Sequence, residues 1–234
     1  MDGPFPEGMT ASIEQFLATE STRERGEDIY PDVFTTPHFF PLQRKRELAQ
    51  MMQDARKISP RVVYEIGADK GGGLYHWIKC LPTVQRVIAC EIRGTPYSTL
   101  FEKAFPEIDF LWIPDSSYTP KTIKKVMNWL GNDRLDCLFI DGDKSGFLLD
   151  YYAYESMLNR PCKVFMHDVT DAPPKEAFIE ARERGSSWKI ISDTTDSKEA
   201  MAREMNGVPV SDAYEGWLRY WKGRSCTVGV INFE

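Results

Sequence analysis

The sequence has no pair of cysteines spaced as CxxC, which excludes a thioredoxin-type redox motif and the common zinc-finger patterns. Its five cysteines, Cys80, Cys90, Cys137, Cys162 and Cys226, are odd in number and widely spaced, which argues against a disulfide framework. Cys90 and Cys137 lie inside apolar runs, where a thiol behaves as a small buried hydrophobe. A reducing, cytoplasmic setting follows. No apolar stretch approaches the roughly 20 residues needed to cross a bilayer, so no membrane partner is expected. The opening MDGPFPEGMTASIEQ is acidic and lacks a basic region followed by an apolar core, so it does not read as a signal peptide. An excess of basic charge is missing too. The net charge is −6 and the isoelectric point is near 5.3, the wrong sign for a general polyanion binder, and no nucleic-acid partner is expected. Internal repeats and low-complexity tracts are absent.

What is present is an ordinary globular balance, 42% hydrophobic and 27% charged over 234 residues, enough for a substantial core. Residues 1–41 read as an N-terminal extension or lid. They include a short helix over 12–19 with Ser12 as its cap and a stiff aromatic loop, Pro37-His38-Phe39-Phe40-Pro41. A helix follows over 42–57, with Leu48, Met51, Met52 and Ala55 at helical spacing, stopped by Ser59-Pro60. From there the pattern alternates. Strands are expected over 61–66, 86–90, 108–113, 135–140, 163–167, 188–192 and 227–233. Helices are expected over 72–80, 98–104, 120–130, 147–159 and 174–184. The alternation predicts an α/β fold: a doubly wound, mostly parallel, seven-stranded sheet with helices on both faces, filling 42–234 as one domain. Several strands are almost wholly apolar, as burial on both faces requires. The last two strands have no simple crossover between them, so the final one is expected to run antiparallel.

Ligands in such sheets bind beyond the carboxyl ends of the strands, so the residues just after each strand carry the chemistry. After the first come Glu65-Ile66-Gly67-Ala68-Asp69-Lys70-Gly71-Gly72-Gly73. Glycines here let the backbone approach a ligand, and the opening of the next helix presents N–H groups. The run lacks GxGxxG for dinucleotides and GK[ST] for a phosphate loop. An acid two residues before the first glycine suits an amino group instead. After the second strand stands Glu91, where an acid grips a ribose diol. After the third come Asp115 and Ser116, placed to meet an adenine edge, although Asp115 reads equally well as a turn cap. After the fourth come Asp141-Gly142-Asp143-Lys144, and after the fifth His167-Asp168. These two tips are expected to be neighbours, bringing Asp141, His167 and Asp168 to one point, a set suited to Mg²⁺ or Mn²⁺. Lys144, desolvated beside a metal, would have a lowered pKa and serve as a general base. The plainer reading is a buried Asp–His or Asp–Lys pair that satisfies itself.

In order, VVYEIGADKGGG, RVIACE, the PDSS step and FIDGDK resemble the Rossmann-type S-adenosylmethionine-dependent methyltransferases over roughly residues 42–192. Within that superfamily, EIGxxxGG followed by FIDGD and HD is similar to the cephalosporin-hydroxylase-like and sugar or macrolide O-methyltransferases. The Asp141 to Lys144 spacing is similar to catechol and caffeoyl-CoA O-methyltransferases. The resemblance implies S-adenosylmethionine as cofactor, held by Glu65, Gly67, Ala68, Gly71, Gly72, Glu91, Asp115, Ser116 and Asp141. It implies a divalent metal on Asp141 and Asp168, to which the strand-tip position adds His167, with Lys144 as base and a hydroxyl-bearing small molecule (sugar, polyketide or macrolide, or catechol-like) as acceptor. Three positions depart from the pattern: Asp69 in place of a middle glycine, His167 in place of an acid, and Lys144 in place of the macrolide group's histidine base.

The long connection 193–226 holds Met201, Met205, Tyr214, Trp217, Leu218, Tyr220 and Trp221. Its aromatics follow helical spacing and read mainly as a helix packed on the core, with one or two lining an acceptor pocket. Three rivals remain: a metal-independent methyltransferase with His167 as catalytic base, an NAD-dependent oxidoreductase, and a non-catalytic scaffold. A homo-oligomer is compatible with all of them.

Overall fold

A computed structural model describes residues 7–27, 30, 33, 36, 39, 41, 43–193 and 226–234. The first strand, β1 (Val62–Ile66), is buried at every position. Alternate residues of a strand face opposite ways, so Val63 joins one hydrophobic core while Val62, Tyr64 and Ile66 join another. The same split recurs in β2 (Arg86–Cys90) and β4 (Leu135–Ile140). Together with β3 (Asp109–Ile113), β5 (Leu158–His167), β6 (Ser187–Asp193) and β7 (Cys226–Phe233), they form one sheet in the order β3-β2-β1-β4-β5-β7-β6. The first five strands pair parallel, and β7 lies antiparallel between β5 and β6. The sheet thus has both the parallel body and the reversed last strand that the alternation predicts. Four cysteines, Cys80, Cys90, Cys137 and Cys162, are free and buried.

One face of the sheet is covered by helices α1 (Glu7–Ser21), α2 (Lys45–Arg56), α3 (Gly72–Cys80) and α4 (Ser98–Ala104). They contribute Ile13 and Leu17, Leu48, Met51, Met52 and Ala55, Trp77, and Phe101 to that core. The other face carries α5 (Pro120–Leu130), α6 (Phe147–Tyr154) and α7 (Pro174–Arg182), through Val126, Tyr151, Tyr154, Phe178 and others. Helix α5 begins as its sequence asks: the Thr119 hydroxyl accepts from the Thr122 amide, and Pro120 occupies the first turn.

The largest departures from the sequence expectation lie at α1, at the junction of α6 with β5, and at the start of α2. Ser12 does not cap a helix; it lies inside α1, which starts five residues earlier. Helix α6 stops at Tyr154 rather than running to 159. A one-turn 3₁₀ helix follows, and by Leu158 the chain is already in β5. Pro161 cannot sit inside a continuing helix, and the Asp136 carboxylate draws the Asn159 amide to the edge of β4 at 2.7 Å. Helix α2 begins at Lys45. His38, Phe40 and Leu42, and the aromatic helix expected over 214–221, lie outside the described residues.

Candidate functional site

The parallel strands end together, and a cavity of about 590 Å³ opens over their carboxyl tips, the size of a small-molecule site. Residues from the tips of all five parallel strands line it, together with Pro41 and Gln43 from the N-terminal side.

At the tip of β1 the chain turns hard. Gly67 has φ +89°, and its amide donates to the Cys90 carbonyl at 2.8 Å, as does that of Ala68 at 3.2 Å. Gly71, at φ +95°, precedes α3, and a β-carbon there would meet the Phe101 ring. Gly72 and Gly73 open the helix onto the cavity. Glu65 is only 2% exposed, and among the described residues its Oε2 has no partner. Burial, reinforced by the charges of Asp141 and Asp69, holds its carboxyl well above the usual range.

Glu91, at the tip of β2, accepts from the amides of Asp69 and Arg93, each at 3.2 Å. It therefore fastens the β1 loop while lining the cavity. Ile92, beside it, is a large apolar side chain left 69% exposed at the rim. At the tip of β3, Asp115 lines the cavity and its Oδ1 accepts from the Ser116 amide at 2.8 Å, which stiffens the turn.

Beneath them, the Ser117 hydroxyl donates to Asp150, a residue of α6 that the sequence did not single out. Burial, opposed by that hydrogen bond and aided by Asp143, pushes the Asp150 carboxyl up to about 7. The native state thus keeps a proton that the unfolded chain releases near pH 4, and stability falls as pH rises from about 4 to 7. Asp150→Asn is therefore expected to stabilise the protein by about 2 kcal/mol at pH 8, with little gain at pH 4.5. Urea unfolding at the two pH values measures this, and equal stability at pH 8 would contradict it.

The tips of β4 and β5 meet as expected. His167 Nδ1 lies 3.0 Å from Asp141 Oδ1 and 3.5 Å from Asp168 Oδ2, and the Lys144 ammonium bonds to Asp168. Two further partners come from the N-terminal side. Gln43 Nε2 donates to Asp141 Oδ2 at 2.6 Å, and Glu47 Oε2 sits 3.6 Å from His167 Nε2. Neither residue carries a local signal, since each acts across more than ninety positions of chain.

These partners change the expected chemistry. Desolvation alone would lower the His167 pKa, but the charges of Asp141 and Glu47 and the bonds to Asp141 and Asp168 raise it well above the ordinary value. This environment favours the protonated ring, with both nitrogens facing carboxylates, and works against its offering a lone pair to a metal or to a proton. Lys144 follows the same pattern. Desolvation would lower its pKa, yet the hydrogen bond and charge of Asp168, with Asp171 and Asp141, raise it. The expectation of a lowered lysine pKa is thus reversed. Asp168, desolvated but bonded to both cations, is pulled down to about 2. The donor set does not fit a divalent ion: Asp141 is engaged by His167 and Gln43, and Asp168 by Lys144 and His167. No group of three His, Cys, Asp or Glu side chains among the described residues is arranged to hold a metal.

No family model matches the chain, and no curated protein matches it in sequence. Solved structures do. An O-methyltransferase from Bacillus cereus in complex with SAH, 12% identical, covers 98% of this chain and 94% of its own at a TM-score of 0.51. The O-methyltransferase TomG from Streptomyces achromogenes, involved in tomaymycin synthesis and solved with SAM, is 14% identical. It covers 100% of this chain and 93% of its own at a TM-score of 0.53. This chain has the Rossmann-type methyltransferase fold. In that frame, Glu65, Gly67, Ala68, Gly72, Glu91, Asp115, Ser116 and Asp141 all line one cavity, whereas Gly71 lies outside its lining, in the turn into α3 against Phe101. Gln43, Ile92 and Ser117 line it as well. No helix of the described residues is long and apolar enough to cross a membrane.

Proposed function

We propose that this chain transfers the methyl group of S-adenosylmethionine to an oxygen of a small-molecule acceptor. The observation that carries the reading is the order of acids around one cavity. Glu65, Glu91 and Asp115 stand at the tips of β1, β2 and β3, which are neighbours in the sheet. An elongated nucleoside with a cationic amino-acid end needs an acceptor for its ammonium, one for its ribose diol and one for its adenine edge, in that sequence. The fold likeness to two methyltransferases, one in complex with SAH and one with SAM, supports the same reading.

Each residue then has a task. Glu65 receives the ammonium. Gly67, Ala68 and Gly72 let the chain come close to the ligand, and Gly71 makes the turn into α3 that sets them there. Glu91 holds the diol, Asp115 and Ser116 face the adenine edge, and Ile92 supplies an apolar wall. When bound, S-adenosylmethionine supplies an electrophilic methyl group on a sulfonium. Lys144 and Asp168 stand at the acceptor side, where the ammonium donates to the acceptor oxygen and orients it. With Lys144 protonated at rest, its role as a base requires proton loss first, so transfer speeds up toward alkaline pH. His167 positions Asp141 and Asp168 rather than acting as the base. The reading takes no divalent ion. A hydroxyl on a sugar, polyketide or catechol-like molecule is the acceptor class.

Calorimetry with S-adenosylmethionine, S-adenosylhomocysteine and NAD tests the proposal. Micromolar binding of the two sulfur ligands, no binding of NAD, and the same affinities with Mg²⁺ or with EDTA are expected. Burial raises the Glu65 carboxyl in the empty site, and an ammonium favours the carboxylate, so binding lowers that pKa and releases protons between the two values. Affinity accordingly rises with pH until Glu65 ionises unaided. Titrations in buffers of different ionisation heat measure the release, and Glu65→Gln removes it. If neither sulfur ligand binds, the proposal fails, and NAD binding would move the oxidoreductase reading ahead.

A further inference from the structure

The methionine end of the cavity has a second polar wall that belongs to no strand tip. Gln43 precedes α2, is 3% exposed, and lines the cavity. An amide has a donor end and an acceptor end, and its neighbours decide which way it points. Here the Asp141 carboxylate, an acceptor only, takes the donor end at 2.6 Å. The carbonyl oxygen Oε1 must then face the other way, and among the described residues nothing donates to it. That oxygen points toward the opening of α3. A β-carbon on Gly73 would lie 3.6 Å from Gln43 Oε1 and 2.4 Å from Glu65 Oε1. Two acceptors thus lie close together at the opening of α3, beside a glycine that leaves them room. Glu65 Oε2, buried beside them, also lacks a partner among the described residues.

The geometry points to Gln43 and Glu65 as the two walls of an ammonium-recognition site, with Gln43 as a binding residue for the amino group of the cofactor's methionine end. The inference rests on the proposed function and adds a residue that the strand-tip pattern does not contain. An ammonium presents three donors in a tripod. A carboxylate and a carbonyl take two of them, and both residues are almost wholly buried. A phosphate would bring only acceptors and negative charge to these oxygens, so the pair selects against it. Asp141 holds the Gln43 carbonyl in place before any ligand arrives, which limits the ordering that binding requires. The same contact ties the cofactor's amino group to the β4–β5 tip cluster through one side chain.

The test compares two probes that share adenosine and a thioether. S-adenosylhomocysteine carries the amino-acid end; 5′-methylthioadenosine does not. The intact protein is expected to bind the first at least tenfold more tightly. Gln43→Met, which keeps length and removes both polar ends, should weaken S-adenosylhomocysteine tenfold or more and change 5′-methylthioadenosine less than twofold. A merely structural role for Gln43 would weaken both alike, and that result overturns the inference, as does an unchanged affinity for S-adenosylhomocysteine. If Gln43→Met fails to fold by thermal unfolding, Gln43→Asn withdraws the carbonyl by one methylene and carries the same expectation. A wild-type protein that binds both probes equally sinks the ammonium site and leaves the methyltransferase reading standing. One that binds neither sinks both.

Discussion

Gly67→Ala is expected to destabilise the protein by more than about 3 kcal/mol and to abolish S-adenosylhomocysteine binding. Two costs act together. The backbone at this position has φ +89°, a region that residues with a β-carbon rarely enter. The added methyl would also lie 2.3 Å from the Asp141 carbonyl oxygen, 2.6 Å from its carbon and 2.8 Å from the Gly142 nitrogen. All three are backbone atoms at the end of β4, a strand paired to β1 by a ladder reaching Ile66 and Ile140. No side chain can swing aside, so the two central strands must part where the cavity begins. Gly131→Ala is the control. It shares a positive φ, +61°, but a β-carbon there meets nothing within 4 Å, and a loss of about 1 kcal/mol is expected. Urea unfolding of both variants, with ligand calorimetry, measures the contrast. A Gly67→Ala protein as stable as Gly131→Ala would refute the close-approach argument.

His167→Gln should cost about 3 kcal/mol near pH 6.5. The imidazolium is 4% exposed and faces Asp141, Asp168 and Glu47. Glutamine keeps the bulk and removes the charge, leaving three carboxylates with less compensation. The sign of the pH dependence follows from linkage. In the wild type the His167 pKa is raised by folding. Its stabilisation is complete below the unfolded value near 6.5 and is lost as pH rises toward the folded value. The gap between the two proteins is therefore at full size at pH 4.5 and 6.5. It narrows toward 8.5, where the wild type holds a proton the unfolded chain has released. Glu65 and Asp150 titrate in both proteins, and their contributions cancel in the difference. Unfolding in urea at the three pH values, with EDTA throughout, reads the gap directly, and a gap independent of pH would contradict the imidazolium.

Much of this molecule was legible in the chain because its signals are local. The periods of 2 and 3.6, the Ser59-Pro60 stop and the Thr119-Pro120 start are written in runs of a few residues. Five of the helix and strand spans coincide with those read from pattern alone: 72–80, 86–90, 98–104, 120–130 and 135–140. The end of α6 was misread because its apolar pattern runs into β5 without a break, and a partner on β4 decides where the helix stops. Asp150 was passed over because an acid on an amphipathic helix reads as solvated. Only packing against Ser117 shows that it is not.

The sequence by itself determined the architecture and the places where chemistry can occur. Alternating apolar strands and helices have to stack as a parallel sheet, and such a sheet opens at its carboxyl ends. Glu65, Glu91, Asp115, Asp141 and Asp168 follow from counting to those ends. What the tertiary structure decided is the charge that each group carries. Lys144 beside Asp168 has a raised pKa, not the lowered one that desolvation alone would bring. His167 is saturated on both nitrogens by Asp141, Asp168 and Glu47. A protonation state depends on every charge within a few ångströms. Here Gln43 and Glu47 arrive from more than ninety residues away along the chain, a distance over which no spacing rule operates.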